Sequence, residues 1–140
     1  ATGTRQYARL SLEGGVSRPI KRAVVSVTGS AGYSAGEVPP QRLWYMGGLR
    51  SVRGQTLGTQ EGDAFWLIRS EIGRRNGVLR PIAFFDVGAS GSRKRFGDVF
   101  TQRGAGVGFS LLDGLFRVDI SRGIFPQKRW RTDLYLEAPI

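Results

Sequence analysis

Apolar and polar residues alternate along most of the chain. From Tyr7 to Glu13, Ala8, Leu10 and Leu12 share one face while Arg9, Ser11 and Glu13 share the other, the two-residue period of a strand. Ala23 to Tyr33 sets Val25, Val27 and Ala31 against Ser26, Thr28 and Ser30. Ala64 to Arg74 sets Trp66, Ile68 and Ile72 against Arg69 and Glu71, and Leu79 to Val87 sets Ala83, Phe85 and Val87 against Arg80 and Asp86, with Ile82 and Phe84 interrupting the pattern. In Gly104 to Leu112 a row of Gly104, Gly106, Gly108 and Ser110 alternates with Ala105, Val107, Phe109 and Leu111. A row of glycine makes room for something pressed against a sheet. Leu115 to Ser121 and Arg131 to Ala138 complete about seven predicted strands, and helical periodicity is absent throughout.

The connections alternate in length. Gly14 to Lys21, Arg75-Asn76-Gly77 and Asp113-Gly114 read as turns, the last two with strong hairpin chemistry. Glu37 to Asp63, Ala89 to Gln102 and Gly123 to Trp130 are long, and in an up-and-down antiparallel meander they all fall at one end. That asymmetry, with aromatics near strand ends (Tyr7, Trp44, Tyr45, Trp66, Trp130, Tyr135), matches a transmembrane β-barrel with short periplasmic turns and long external loops. Ala8, Leu10, Val25, Trp66, Ile68, Ile72, Phe85, Val107, Phe109, Phe116, Val118, Leu134 and Leu136 are then expected to face lipid. A soluble antiparallel sheet or lipocalin-like barrel is the alternative.

The stretch that departs most from this regularity is Met46 to Gly58. Gly47, Gly48, Gly54 and Gly58 break any regular element, yet Leu43, Trp44, Tyr45, Leu49 and Val52 are apolar or aromatic, and Arg50 and Arg53 lie among them. Such a loop is suited to folding back onto the sheet. By alternation Glu71 and Asp86 lie on the polar face of adjacent strands, and a guanidinium can serve two carboxylates with its fixed fork of donors.

Composition narrows the chemistry. The net charge is +10, from 21 basic and 11 acidic residues, which suits a polyanionic partner: nucleic acid, anionic lipid or lipopolysaccharide phosphate. Arg93, Lys94 and Arg95 form an external basic cluster of this kind. Cysteine and histidine are both absent, so disulfides, thiol chemistry, the commonest general base and the commonest metal ligand are unavailable. No enzyme, cofactor or metal site is expected. Gly104 to Gly108 is no dinucleotide fingerprint, since no helix pattern follows it. Arg95-Phe96-Gly97-Asp98-Val99-Phe100 sits in a loop, where it could not present aromatics on a sheet face, so nucleic acid is not an expected partner. Asp119 and Asp133 each follow an arginine, Arg117 and Arg131, by two residues on one face, which predicts salt-bridged wall residues.

Three signatures occur in order: Gly47-Gly48 through Val52-Arg53-Gly54; Phe84-Phe85-Asp86-Val87-Gly88, with Glu71 one strand earlier; and Gly104-Ala105-Gly106-Val107-Gly108 followed by Leu115-Phe116-Arg117-Val118-Asp119. From about Tyr7 onward the chain resembles the C-terminal part of the barrel in the BamA/TamA superfamily (the bacterial surface antigen family), which includes outer-membrane protein assembly factors and two-partner secretion transporters. The resemblance implies the last seven or so strands of an outer-membrane β-barrel. It implies an inward-folding loop whose arginine, Arg53, pairs with Asp86 and Glu71. Arg69, Arg117 and Asp119 become candidate lumen-wall charges. The implied partners are the bilayer, lipopolysaccharide, client polypeptides, and periplasmic repeats or accessory assembly proteins. Gln55 stands where the family has an aromatic, and the chain ends Glu137-Ala138-Pro139-Ile140 without a terminal aromatic. A passive pore, a barrel anchoring a fused passenger domain, and a soluble barrel binding a polyanion are the competing readings.

Overall fold

A computed structural model describes residues 6–112 and 114–136. Seven antiparallel strands form one sheet: β1 (Tyr7–Ile20), β2 (Ala23–Gly36), β5 (Ala64–Arg74), β6 (Leu79–Gly91), β7 (Gln102–Leu111), β8 (Phe116–Phe125) and β9 (Trp130–Leu136). They are ordered as a simple meander, each pairing with the next, and among the described residues β1 and β9 do not pair to close it. Two short strands, β3 (Trp44–Met46) and β4 (Gln60–Gly62), pair with each other at the root of the long loop. A 3₁₀ turn occupies Pro40–Arg42, and two more, separated by a kink at Arg95, occupy Arg93–Asp98. The protein is therefore all-β, with the predicted meander topology.

Several strands run further than alternation suggested. β1 continues without a break through Gly14, Gly15 and Pro19, and only Lys21 and Arg22 remain as the turn. β1 is an edge strand, where a proline lacking its N–H is tolerated. β6 extends to Gly91 and β8 to Phe125, because the loop packed on them gives their ends a partner that pattern alone does not reveal. The Asp113 half of the last tight turn and the segment Glu137 to Ile140 lie outside the described residues.

Cross-strand register fixes the two faces. Leu10 pairs with Tyr33, Ala31 with Trp66, Ile68 with Val87, Ile72 with Ala83, Ala83 with Val107, Val107 with Ile120 and Val118 with Leu134. These apolar rows lie on the face away from the long loop, and many of their side chains are exposed, Leu10, Val107 and Leu134 by 53%, 53% and 73%. All the residues expected on the apolar face lie there. The opposite face is polar and carries the loop. Most of the buried side chains sit there: Met46, Val52 and Leu67 pack together with Phe65, surrounded by polar groups, while the small Ala64 and Ala89 are buried on the other face. The sheet curls round the loop, so that Glu13 of β1 and Tyr135 of β9 line one cavity.

Candidate functional site: a loop locked to the sheet wall

The segment between β3 and β4 folds back onto the polar face. Gly47 and Gly48 both adopt positive φ, and the turn they start is closed by Gly47 N–H donating to Ser51 Oγ at 2.7 Å and Gly48 N–H to the Val52 carbonyl at 3.1 Å. Val52 is fully buried against Met46 and Leu67, an apolar anchor that delivers the next residue, Arg53, to the wall.

Arg53 is 2% exposed and Asp86 is fully buried. The guanidinium engages Asp86 through two bonds, Nε to Oδ2 at 2.6 Å and Nη2 to Oδ1 at 2.7 Å, and its Nη1 donates to Glu71 Oε1. The Arg53 backbone N–H also donates to Asp86, at 3.1 Å. This is the fork geometry that only arginine supplies. Its plane lies over the Phe84 ring, 3.8 Å from the centroid, a cation–π contact that explains why an aromatic interrupts the polar face of β6. Burial alone would lower the pKa of Arg53, but the bonds and charges of Asp86 and Glu71 outweigh it and raise it, so the charge is retained inside the wall.

The network extends beyond the predicted trio. Arg117 of β8 gives Nη2 to Glu71 Oε1 at 2.6 Å and Nε to Asp119 Oδ1 at 2.9 Å. Asp119 also accepts the Tyr135 hydroxyl at 2.7 Å. Glu71 thus joins two guanidinium groups, one from the loop and one from the wall, and the chain of contacts runs from β5 to β9. Arg69 lies 3.8 Å from Asp86 and donates to the Leu49 carbonyl at 3.0 Å, holding the loop's rising limb. The wall pairs anticipated at Asp119 and Asp133 are present, the second as Arg131 Nε to Asp133 Oδ1 at 3.1 Å. Arg50 stays exposed and takes no part in the lock, although it borders a cavity of 390 Å³ with Arg53, Arg69, Glu71 and Arg117.

The glycine row does what its spacing suggested. A Cβ on Gly104 would overlap the Arg53 carbonyl, and one on Gly108 would overlap the Asp119 carboxylate. At Gly54 the backbone has φ +95°, and a Cβ would stand 2.6 Å from Gly123 N, so the loop crosses β8 almost in backbone contact. Gly88 of the strand motif leaves room for the Met46 sulfur, whereas Phe85 of the same motif points to the opposite, apolar face with 43% exposure.

Gln55 is the residue that sequence reasoning undervalued. It is fully buried, and its Nε2 lies within reach of three carbonyls, those of Arg103 at 2.8 Å, Phe125 at 3.0 Å and Gln127 at 3.1 Å. Its Oε1 accepts Gln127 N–H at 3.2 Å, and Gln127 Oε1 in turn accepts Thr56 N–H at 2.9 Å. The two glutamines fasten the loop tip to the β8–β9 connection. A second amide cluster holds the root, with Gln102 Nε2 donating to Gln60 Oε1 at 2.9 Å and Gln60 Nε2 to the Phe100 carbonyl at 2.7 Å. The only hint was that Gln60, Gln102 and Gln127 fall on or beside strand ends. Among the described residues no cluster of three acidic, histidine or cysteine side chains could hold a metal ion, and the carboxylates that do gather are committed to guanidinium groups.

No protein-family model matches the chain, and a search of curated proteins finds no match.

Proposed function

We propose that the chain is the C-terminal part of an outer-membrane β-barrel belonging to a factor that inserts or translocates polypeptides, with the long loop as an inward plug fixed to the wall. One observation carries this reading: a glycine-rich loop folded onto the polar face of an apolar-backed sheet, its Arg53 joined to both Asp86 and Glu71. That is the constellation implied by the resemblance of the three sequence signatures. The outward apolar rows suit lipid, and the charged, glycine-rich inner face suits a wet lumen. A loop bonded to β5, β6, β7 and the β8–β9 connection argues against a simple open pore.

Open edges at β1 and β9 cannot be satisfied by hydrocarbon. Because seven strands alternate in direction, β1 and β9 run the same way, and two copies joined end to end would meet through parallel edges. A wholly antiparallel barrel requires an odd number of further strands between them.

The test is reconstitution. The protein in vesicles should accelerate folding of an outer-membrane barrel client, read as protease protection and heat-modifiable gel mobility, or pass an unfolded polypeptide across the bilayer. Vesicles that pass only small solutes, with no effect on either polypeptide, would select the passive-pore reading. A protein that stays in the aqueous phase without detergent would sink the membrane assignment altogether.

A further inference from the structure

The charges of the large sheet are sorted by face. Register places Glu13, Glu71, Asp86, Asp119 and Asp133 on the loop side, so every described carboxylate on its strands points inward. The charged residues pointing outward are Arg18, Arg74, Arg103 and Arg122, each within four residues of a strand end. Between them the outward positions are apolar or small. A soluble sheet surface ordinarily mixes both signs and distributes them along the strands. Cations alone, confined to the borders of an apolar band, complement a layer that is apolar within and anionic at its rim.

The long-loop end of β7–β9 carries the densest group. Arg122 is the cross-strand partner of Ala105 and Arg103 that of Phe125, with a register shift between Arg103 and Gly104, so the two arginines stand on adjacent strands at the same border. Two long guanidinium side chains on neighbouring strands can close on one phosphate. Arg122 also pairs across to Trp130, with its guanidinium 5.4 Å from the indole centroid, and Trp130 is 69% exposed on the outer face. An exposed tryptophan beside arginine at the border of an apolar surface is suited to the headgroup level of a bilayer. Lys128 and Arg129 are exposed in the adjoining connection, and neither Arg103 nor Arg122 meets a carboxylate among the described residues.

We infer that Arg103 and Arg122, flanked by Trp130, form an outward-facing site for the phosphate of an anionic lipid headgroup. The inference rests on the membrane reading and adds to it which leaflet border, which strands and which headgroup chemistry. It differs in place from the loop cluster at Arg93 to Arg95, which projects beyond the strand ends.

The test compares partition of the chain into phosphatidylcholine vesicles and into vesicles of phosphatidylcholine with phosphatidylglycerol. The wild type should favour the anionic vesicles. Arg103→Gln with Arg122→Gln should lower that preference by roughly ten- to thirty-fold, given about five-fold per cation near the surface. Partition into neutral vesicles and the β-sheet circular-dichroism signature should not change. Arg131→Gln, on the inner face, should keep the full preference. Retention of the preference in the double variant, or its absence in the wild type, would overturn the site while leaving the membrane reading intact. An equal loss with Lys94→Gln and Arg95→Gln would assign the effect to diffuse loop charge and also overturn it. Failure to enter either vesicle would bring down both readings together.

Discussion

Replacing Arg53 with alanine leaves a specific debt at Asp86. The side chain provides two bonds to this fully buried carboxylate, one to Glu71 and the contact over Phe84. Summing charge-assisted bonds at about 1.5–3 kcal/mol each would overstate the loss. Removing one partner of a buried pair typically costs about 3–5 kcal/mol, because the other charge is stranded. Arg69, already 3.8 Å from Asp86, can compensate in part. The expected destabilisation of the docked loop is therefore about 3 kcal/mol.

Hydrogen exchange reads this directly. Amides from Val52 to Gln55 should lose on the order of 100-fold protection in Arg53→Ala at pH 7, with β1 and β2 unaffected. Arg53→Lys should recover little, since one ammonium cannot span two carboxylates. Adding Asp86→Asn to Arg53→Ala should restore stability, because the stranded charge is gone. Unchanged loop protection in Arg53→Ala would refute the account of Arg53 as the lock.

Gly104→Ala puts a methyl into the Arg53 carbonyl, so the loop must lift by a sizeable fraction of an ångström; faster protease cleavage within Met46–Gly58 should follow, comparable to that of Arg53→Ala. Gln55→Ala should cost about 1–3 kcal/mol of loop stability by stranding carbonyls at Arg103, Phe125 and Gln127, read as faster hydrogen exchange at Thr56 and Gln127. On the outer face, Val107→Arg should cost about 2–4 kcal/mol in a bilayer, measured by reversible unfolding from lipid; a change near zero would argue against lipid contact there.

The strands and the site were legible to different degrees for a physical reason. Alternation reports which face a residue occupies, so the meander, the apolar rows and the inward position of Glu71 and Asp86 could all be read from the chain. Strand ends could not, because β6 beyond Val87 and β8 beyond Ser121 are ordered against the loop, a contact distant in sequence. Phe84 looked like noise in the pattern of β6 until the guanidinium above it was placed. Gln55 looked like a weakness at the loop tip. An amide carries no charge pattern and no periodicity, and its value depends on three backbone carbonyls, on β7, on β8 and in the β8–β9 connection, converging at one point.

Those contacts divide the loop's attachment into layers of different chemistry. Gln60 and Gln102 hold the root, Arg53 with Asp86 and Glu71 holds the centre, and Gln55 with Gln127 holds the tip. Only the central layer is ionic, so removal of Arg53 weakens the middle while both amide layers persist. The loop should therefore loosen locally rather than swing out whole. Its tip is tied to the connection that leads into β9, the sheet's open edge, so loosening at Gln55 reaches β9 through Gln127, whereas loosening at Arg53 reaches it through Glu71, Arg117, Asp119 and Tyr135. Both routes end on the same strand, which makes the position of β9 the structural quantity most directly coupled to whether the loop is docked.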